Sequence, residues 1–250
     1  AATILALATF ARGKETVLSR GELVEIGGSF RMPDVMEQAG THLVGVGATN
    51  RTRLGDYSAA LTTETGLLLK VHRSNFRIEG FTEETSMEDI ANLAKAHGLP
   101  SVYDLGAGFL NEGVAGLTPI EGLEGEPLLS EAIASGCDAV MFSGDKLFGG
   151  PQAGLIAGQR GAIEDMRHNP LYRAIRLDKV ALAGLERTVE LYLEGRGDEL
   201  PARALMLRSA DELKGVAEEL AGAVRGLGSA WEVSVHPERS QPGSGSAPGV

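Results

Sequence analysis

Short runs that are apolar from end to end, set between stretches of helical period, constrain the fold of this chain more than anything else in its sequence. "ETVLS" (15–19), "HLVGVG" (42–47), "GLLLKVH" (66–72), "PSVYDLG" (100–106), "DAVMFSG" (138–144) and "AGLIAGQ" (153–159) read as strands. Most are continuously apolar rather than alternating, the pattern of strands covered on both faces. Helical patterns lie between them. In "SMEDIANLAKAHG", Ser86 and Asp89 form a capping box, Ile90, Leu93, Ala94 and His97 share a face, and Gly98 ends the helix. "DYSAAL" and "LLSEAIASG" fill other crossovers. The alternation predicts an α/β fold, a mainly parallel sheet with helices on both sides.

After Arg160 the pattern changes. A short helix, "AIEDMRH", precedes "NPLYRAIRLDK", and "VALAGLERTVELYLEG" (180–195) carries Leu182, Leu185, Val189 and Tyr192 at helical spacing. Past Pro201 the chain reads as helical again, followed by a strand at 231–235 and a loop-like tail, "SQPGSGSAPG". The expected organisation is a large domain over 1–197 and the opening of a smaller α+β domain over 198–250. Both ends read as cut: "AATILALATFARGKE" resembles the inside of a helix, and "GSGSAPGV" follows directly on strand-like "WEVSV". The expectation is a fragment of a longer protein.

Composition excludes several classes of function. The net charge of −11 argues against a broad nucleic-acid-binding face, because phosphate neutralisation needs clustered Lys and Arg. One cysteine, Cys137, permits neither an internal disulfide nor a cysteine metal cluster, and the five histidines lack zinc-ligand spacing. No apolar run approaches the roughly 18 residues of a membrane helix, and no signal peptide is visible, so a cytoplasmic protein without a membrane partner is expected.

The chemistry concentrates in "FSGDKLFGGPQAG" (142–154). Lys146 sits just past a predicted strand's carboxyl end, where open α/β sheets place their ligands. The GxxxxGK[ST] spacing of a P-loop is absent. The plain alternative is a surface lysine at a strand–loop junction. Against it stand the small Ser143 and Gly144 before the lysine, the flexible turn after it, and Asp104, which ends an earlier strand in "VYDLGAG". A lysine that can be desolvated suits a Schiff base with a carbonyl cofactor. A carboxylate held against the pyridine nitrogen is the usual partner for pyridoxal phosphate.

Together with this motif, the stretches "SRGELVEIGGSFRMPDVMEQAG" (19–40), "GATNRT" (47–52), "KVHRSNFRIEGFT" (70–82), "DLGAG" (104–108) and "NPLYRAIRLDKVALAGLE" (169–186) resemble the bacterial selenocysteine synthases. These L-seryl-tRNA(Sec) selenium transferases are pyridoxal-phosphate enzymes of the aspartate aminotransferase fold type. The resemblance covers nearly all of residues 1–200. It implies that Lys146 carries the cofactor, Asp104 holds the pyridine nitrogen, Ser143 reaches the phosphate and Asn75 meets the phenolic oxygen. Asp145 matches a position tied to activity, and His72 lies near the pocket. Arg173 and Arg176 are expected to meet the selenium donor from one helical face. Bland alternatives remain for three of these: a loop-turn asparagine, a packed strand-end histidine, and a solvated arginine face.

The implied reaction converts seryl-tRNA(Sec) to selenocysteinyl-tRNA(Sec) through an aminoacrylyl intermediate, with selenophosphate as donor, in a homo-oligomer that takes no DNA. Other readings are a related lyase acting on a small phosphorylated amino acid, and a non-catalytic relative that keeps the fold.

Overall fold

The computed structural model describes residues 1–26, 28, 30–111, 114, 116–123, 125–228 and 231–238. Eight strands occur among them: β1 (Glu15–Ser19), β2 (Glu25–Ile26), β3 (Phe30–Arg31), β4 (His42–Val46), β5 (Thr65–Val71), β6 (Ser101–Gly106), β7 (Ala139–Ser143) and β8 (Gly154–Gly158). β2 and β3 form a small antiparallel hairpin. The other six make one sheet in the order β4-β1-β5-β6-β7-β8. Neighbours pair in parallel except β7 and β8, which are antiparallel. The connection between those two is too short to hold a crossover helix, so the chain can only turn back on itself.

Ten α-helices occur among the described residues: α1 (Ala2–Phe10), α2 (Met32–Ala39), α3 (Leu54–Ala60), α4 (Met87–Ala96), α5 (Leu129–Ala134), α6 (Arg160–His168), α7 (Pro170–Ala174), α8 (Lys179–Leu193), α9 (Pro201–Met206) and α10 (Ala210–Arg225). The two-residue period of a strand sorts its side chains between two cores. On one face Leu68, Leu105, Val140 and Phe142 pack with Tyr57, Ile90, Leu129 and Leu185. On the other, Leu67, Leu69, Val102 and Met141 pack with Leu5, Leu7, Met36 and Met166. Each such side chain contributes about 1.5–3 kcal/mol on full burial. That accounts for strands without a polar side.

Half of the predicted capping box forms at α4: Ser86 Oγ accepts from Asp89 N at 3.0 Å, but it donates to Asp89 Oδ2 at 2.7 Å, so the Asp89 carboxylate meets the hydroxyl instead of the Ser86 backbone N–H. Gly98 then takes a left-handed φ of 65°, but His97 is exposed at the C-cap instead of sharing the buried face. The stretch after Pro201 is two helices, broken where Ser209 and Glu212 cap α10 reciprocally. The strand expected at 231–235 does not form. Residues 231–238 have no strand partner, and Trp231 is exposed. In place of a ladder, the Val233 carbonyl accepts from the Arg225 guanidinium, from Nη2 at 2.9 Å and Nε at 3.1 Å. The tail from 239 lies outside the described residues.

Arg203 of α9 is fully buried. It donates to the Leu110 carbonyl at 2.9 Å and the Thr118 carbonyl at 2.7 Å, and pairs with Asp198 at 3.1 Å. The segment after β6 is thus fastened to the chain beyond α8. Among the described residues, no helix is long and apolar enough to cross a membrane.

Candidate active site

The parallel strands all end on one edge of the sheet, and the chemistry gathers there. β7 ends at Ser143 and passes into a turn that carries Lys146. The residues after the lysine are anchored. Leu147 is buried in a small cluster with Ala107, Phe109, Ile120 and Leu123. Phe148 packs between the rings of Phe142 and Tyr192, each at 5.4 Å, and its carbonyl accepts from the Tyr192 hydroxyl at 2.8 Å. The glycines let this turn close. A Cβ on Gly144 would lie 2.7 Å from the Pro151 carbonyl oxygen, and Gly149 has a left-handed φ of 78°.

Asp104 lies on the neighbouring strand, where the register of β6 against β7 shifts between Asp104 and Gly106. One carboxylate oxygen, Oδ2, accepts from Thr3 Oγ1 of α1 at 2.9 Å. Burial pushes the carboxyl up from its ordinary range, opposed by the Thr3 hydrogen bond and by the charge of Lys146. The lysine and the carboxylate therefore act on each other across the strand ends. A Cβ on Gly106 would meet Ser74 Oγ at 3.8 Å and Lys146 Nζ at 3.9 Å. Ser74 Oγ is buried with no hydrogen-bond partner among the described residues. An amine, a carboxylate, an unbonded hydroxyl and a glycine without a side chain fit a flat, polar-edged cofactor.

The remaining expected residues divide. His72 joins this group: its backbone N–H donates to the Asp104 carbonyl at 2.9 Å, and its charge also acts on the Asp104 carboxyl. Ser143 Oγ donates to Asp145 Oδ1 at 2.7 Å, so both hydroxyl and carboxylate are engaged with each other. Asn75 is exposed, its Nδ2 donating to the Glu25 carbonyl at 2.8 Å. Arg173 and Arg176 are both exposed. They do not share a helical face, because α7 ends at Ala174 and Arg176 lies beyond it. Asn169 caps α7 and Asp178 caps α8, so the backbone breaks between the two arginines.

The sequence did not point to Thr3, Ser74 or Glu126. Nor did it reveal the buried pair in which Lys70 Nζ lies 2.8 Å from Glu22 Oε1, while Glu22 Oε2 accepts from Val71 N at 3.0 Å. A cavity of about 360 Å³ opens beside these groups, lined by Lys70, His72, Arg73, Arg77, Tyr103 and Glu126, among others. A neighbouring crevice lined by Ser19, Thr52 and Tyr57 holds about 10 Å³, room for no more than a water. Among the described residues no cluster of His, Cys, Asp and Glu could hold a metal ion.

A family model described as L-seryl-tRNA selenium transferase matches residues 1–250. The chain is 47% identical over 251 residues to the L-seryl-tRNA(Sec) selenium transferase of Actinobacillus pleuropneumoniae serotype 5b, covering 99% of this chain and 53% of that protein. It spans about half the length of the curated relatives it matches. In fold it is similar to D-glucosaminate-6-phosphate ammonia-lyase, with a TM-score of 0.61 at 24% identity over 88% of this chain and 56% of that one. It is also similar to the pyridoxal-5'-phosphate dependent protein YhfS of Escherichia coli, with a TM-score of 0.51 at 18% identity over 90% and 51%.

Proposed function

The chain belongs to the L-seryl-tRNA selenium transferase family, and from that premise we propose that it is the cofactor-bearing part of an enzyme making selenocysteinyl-tRNA(Sec) from seryl-tRNA(Sec). Selenophosphate is the selenium donor in this reading, and pyridoxal phosphate the cofactor. One observation carries it at the residue level. Lys146 and Asp104 stand on adjacent strand ends, each within the other's field, beside Gly106 and the unbonded Ser74 hydroxyl.

The residues take these roles. Lys146 holds the cofactor through its amine, and the same amine, when free, takes the substrate's Cα proton. A lysine in a desolvated pocket can do so near neutrality. Asp104, oriented by Thr3, faces the pyridine nitrogen. Bound there, pyridoxal phosphate supplies an electron sink for the substrate's α carbon. Ser143 and Asp145 border the lysine turn on the phosphate side, and Asn75 serves the phenolic oxygen. Arg173 and Arg176 meet the donor, since planar guanidinium groups suit a tetrahedral oxyanion better than a lysine does. Residues 1–197 form the cofactor domain, those from 198 open a smaller one, and the enzyme works in the cytoplasm as a homo-oligomer.

Borohydride reduction of the full-length protein loaded with pyridoxal phosphate, followed by peptide mass spectrometry, tests the assignment. A pyridoxyl adduct on Lys146 is expected. An adduct on Lys70 or Lys179, or a protein that never takes up the cofactor, ends it. Turnover of a free phosphorylated amino acid in place of seryl-tRNA would replace the transferase by a lyase.

A further inference from the structure

Beside the site, two buried polar atoms face each other without bonding. His72 Nε2 lies 3.4 Å from Glu126 Oε2. Neither has a hydrogen-bond partner among the described residues. Glu126 is only 9% exposed, whereas the His72 side chain keeps 20% of its surface open. Nε2 is turned to the carboxylate, and both residues line the cavity described above. Two of the neighbouring cations have carboxylate partners, and Arg77 and Glu79 also line the cavity. Lys70 pairs with Glu22, and Arg73 pairs with Glu84. Glu126 is the carboxylate whose oxygen lies against His72 Nε2, while Asp104 stays within the imidazole's field. The backbone bond to Asp104 fixes the imidazole beside the group assigned to the cofactor.

A carboxylate, an imidazole and its second ring nitrogen in series form a proton-transfer device. The carboxylate decides which nitrogen keeps its proton, and the opposite nitrogen does the exchange. We propose that His72 is a catalytic acid and Glu126 its positioning residue, acting on the hydroxyl that leaves the substrate's Cβ. The proposal rests on the functional reading above. As Lys146 takes the proton from Cα, the electron pair of that C–H bond becomes the second bond between Cα and Cβ. The Cβ–O bond breaks with its pair on oxygen, the proton on His72 Nδ1 passes to that oxygen, and water departs. Neutral His72 keeps its proton on Nε2, facing Glu126. Hydroxide leaves poorly without such a proton, and a positioned acid contributes about 10²–10⁴-fold. A separate acid also leaves Lys146 with one proton to carry.

Two measurements test this in the full-length protein. In the first, His72→Gln and Glu126→Gln are compared on seryl-tRNA and on β-chloroalanyl-tRNA, whose chloride leaves without a proton. Each variant should lower seryl turnover by about a hundredfold or more. Each should still load cofactor on Lys146 and process the chloro substrate within a few-fold of wild type. Equal losses on both substrates, or no loss on seryl-tRNA, overturn the proposal. The isosteric Glu126→Gln carries the comparison if His72→Gln does not fold. In the second, nitrogen-15 spectra of histidine are recorded without cofactor. Neutral His72 should carry its proton on Nε2, and Glu126→Gln should abolish that preference. A wild-type proton on Nδ1, or spectra blind to Glu126→Gln, would refute the pairing. Because the second readout needs no cofactor, a protein that never loads Lys146 sinks the functional reading while the spectra still decide the pair.

Discussion

Asp104 illustrates at the residue scale how a site is held at some cost to the fold. Its carboxyl is pushed up by burial, against the pull of Thr3 and Lys146. A group whose pKa is higher folded than unfolded binds more protons in the folded state between those two values. Stability therefore falls as pH rises from the ordinary carboxylate value through the raised one, and at neutral pH the ionised form is a liability. Asp104→Asn should accordingly raise the melting temperature of the cofactor-free protein at pH 7 while abolishing turnover. The gain should vanish below about pH 4, where both states are protonated. A lower melting temperature at pH 7 would contradict the burial argument. The Lys70–Glu22 pair behaves differently, because both partners are buried. Lys70→Met strands the Glu22 charge and should cost about 3–5 kcal/mol in urea unfolding, most of it recovered in the double variant Lys70→Met/Glu22→Leu. Equal losses in both would mean that the lysine stem, rather than its charge, matters. Lys146 and Asp104 were legible because a strand end and a glycine-rich turn are local signals. Thr3 was not, since it meets a carboxylate 101 positions away. Glu126 was hidden for the same reason: its partner, His72, sits just past the end of β5, far earlier in the chain.

At the scale of elements, the inner strands of the main sheet were readable because strands buried on both faces appear as unbroken apolar runs, and the edge strands β4 and β8, partly buried, carry apolar runs as well. The break between α9 and α10 was missed, because the apolar period continues across the S-x-x-E spacing of Ser209 and Glu212 that marks it. The strand at 231–235 had the right composition and lacked a neighbour, which local sequence cannot report. The arginine pair shows the same limit. Spacing of i and i+3 implies a shared face only inside a helix, and α7 stops between the two. Straddling that end, the guanidinium groups can approach an anion from different directions. Arg173→Ala and Arg176→Ala should each raise the selenophosphate concentration for half-maximal rate about tenfold, the loss of one charge-assisted bond, and leave cofactor loading unchanged. Unchanged donor dependence, measured by steady-state titration, would remove the arginines from the donor site.

Across the whole molecule, Arg203 has a consequence for cooperativity. Its guanidinium closes on two carbonyls of the segment after β6, Leu110 and Thr118, from a helix far later in the chain. Segments joined by a buried charge in this way open together, because either one leaving alone would strand unbonded donors and acceptors. The span that leads to Glu126 and the helix bearing Arg203 should therefore form one exchange unit. Native-state hydrogen exchange should give α9 and the amides around Leu123 and Glu126 a common opening free energy, below that of β5 and β6. Arg203→Met should make both exchange faster together, with the sheet unaffected; acceleration of α9 alone would disprove the coupling. A chain that breathes as such a unit ties the exposure of Glu126 to the docking of a helix far downstream, so loosening α9 would admit water around Glu126 before the sheet itself begins to unfold.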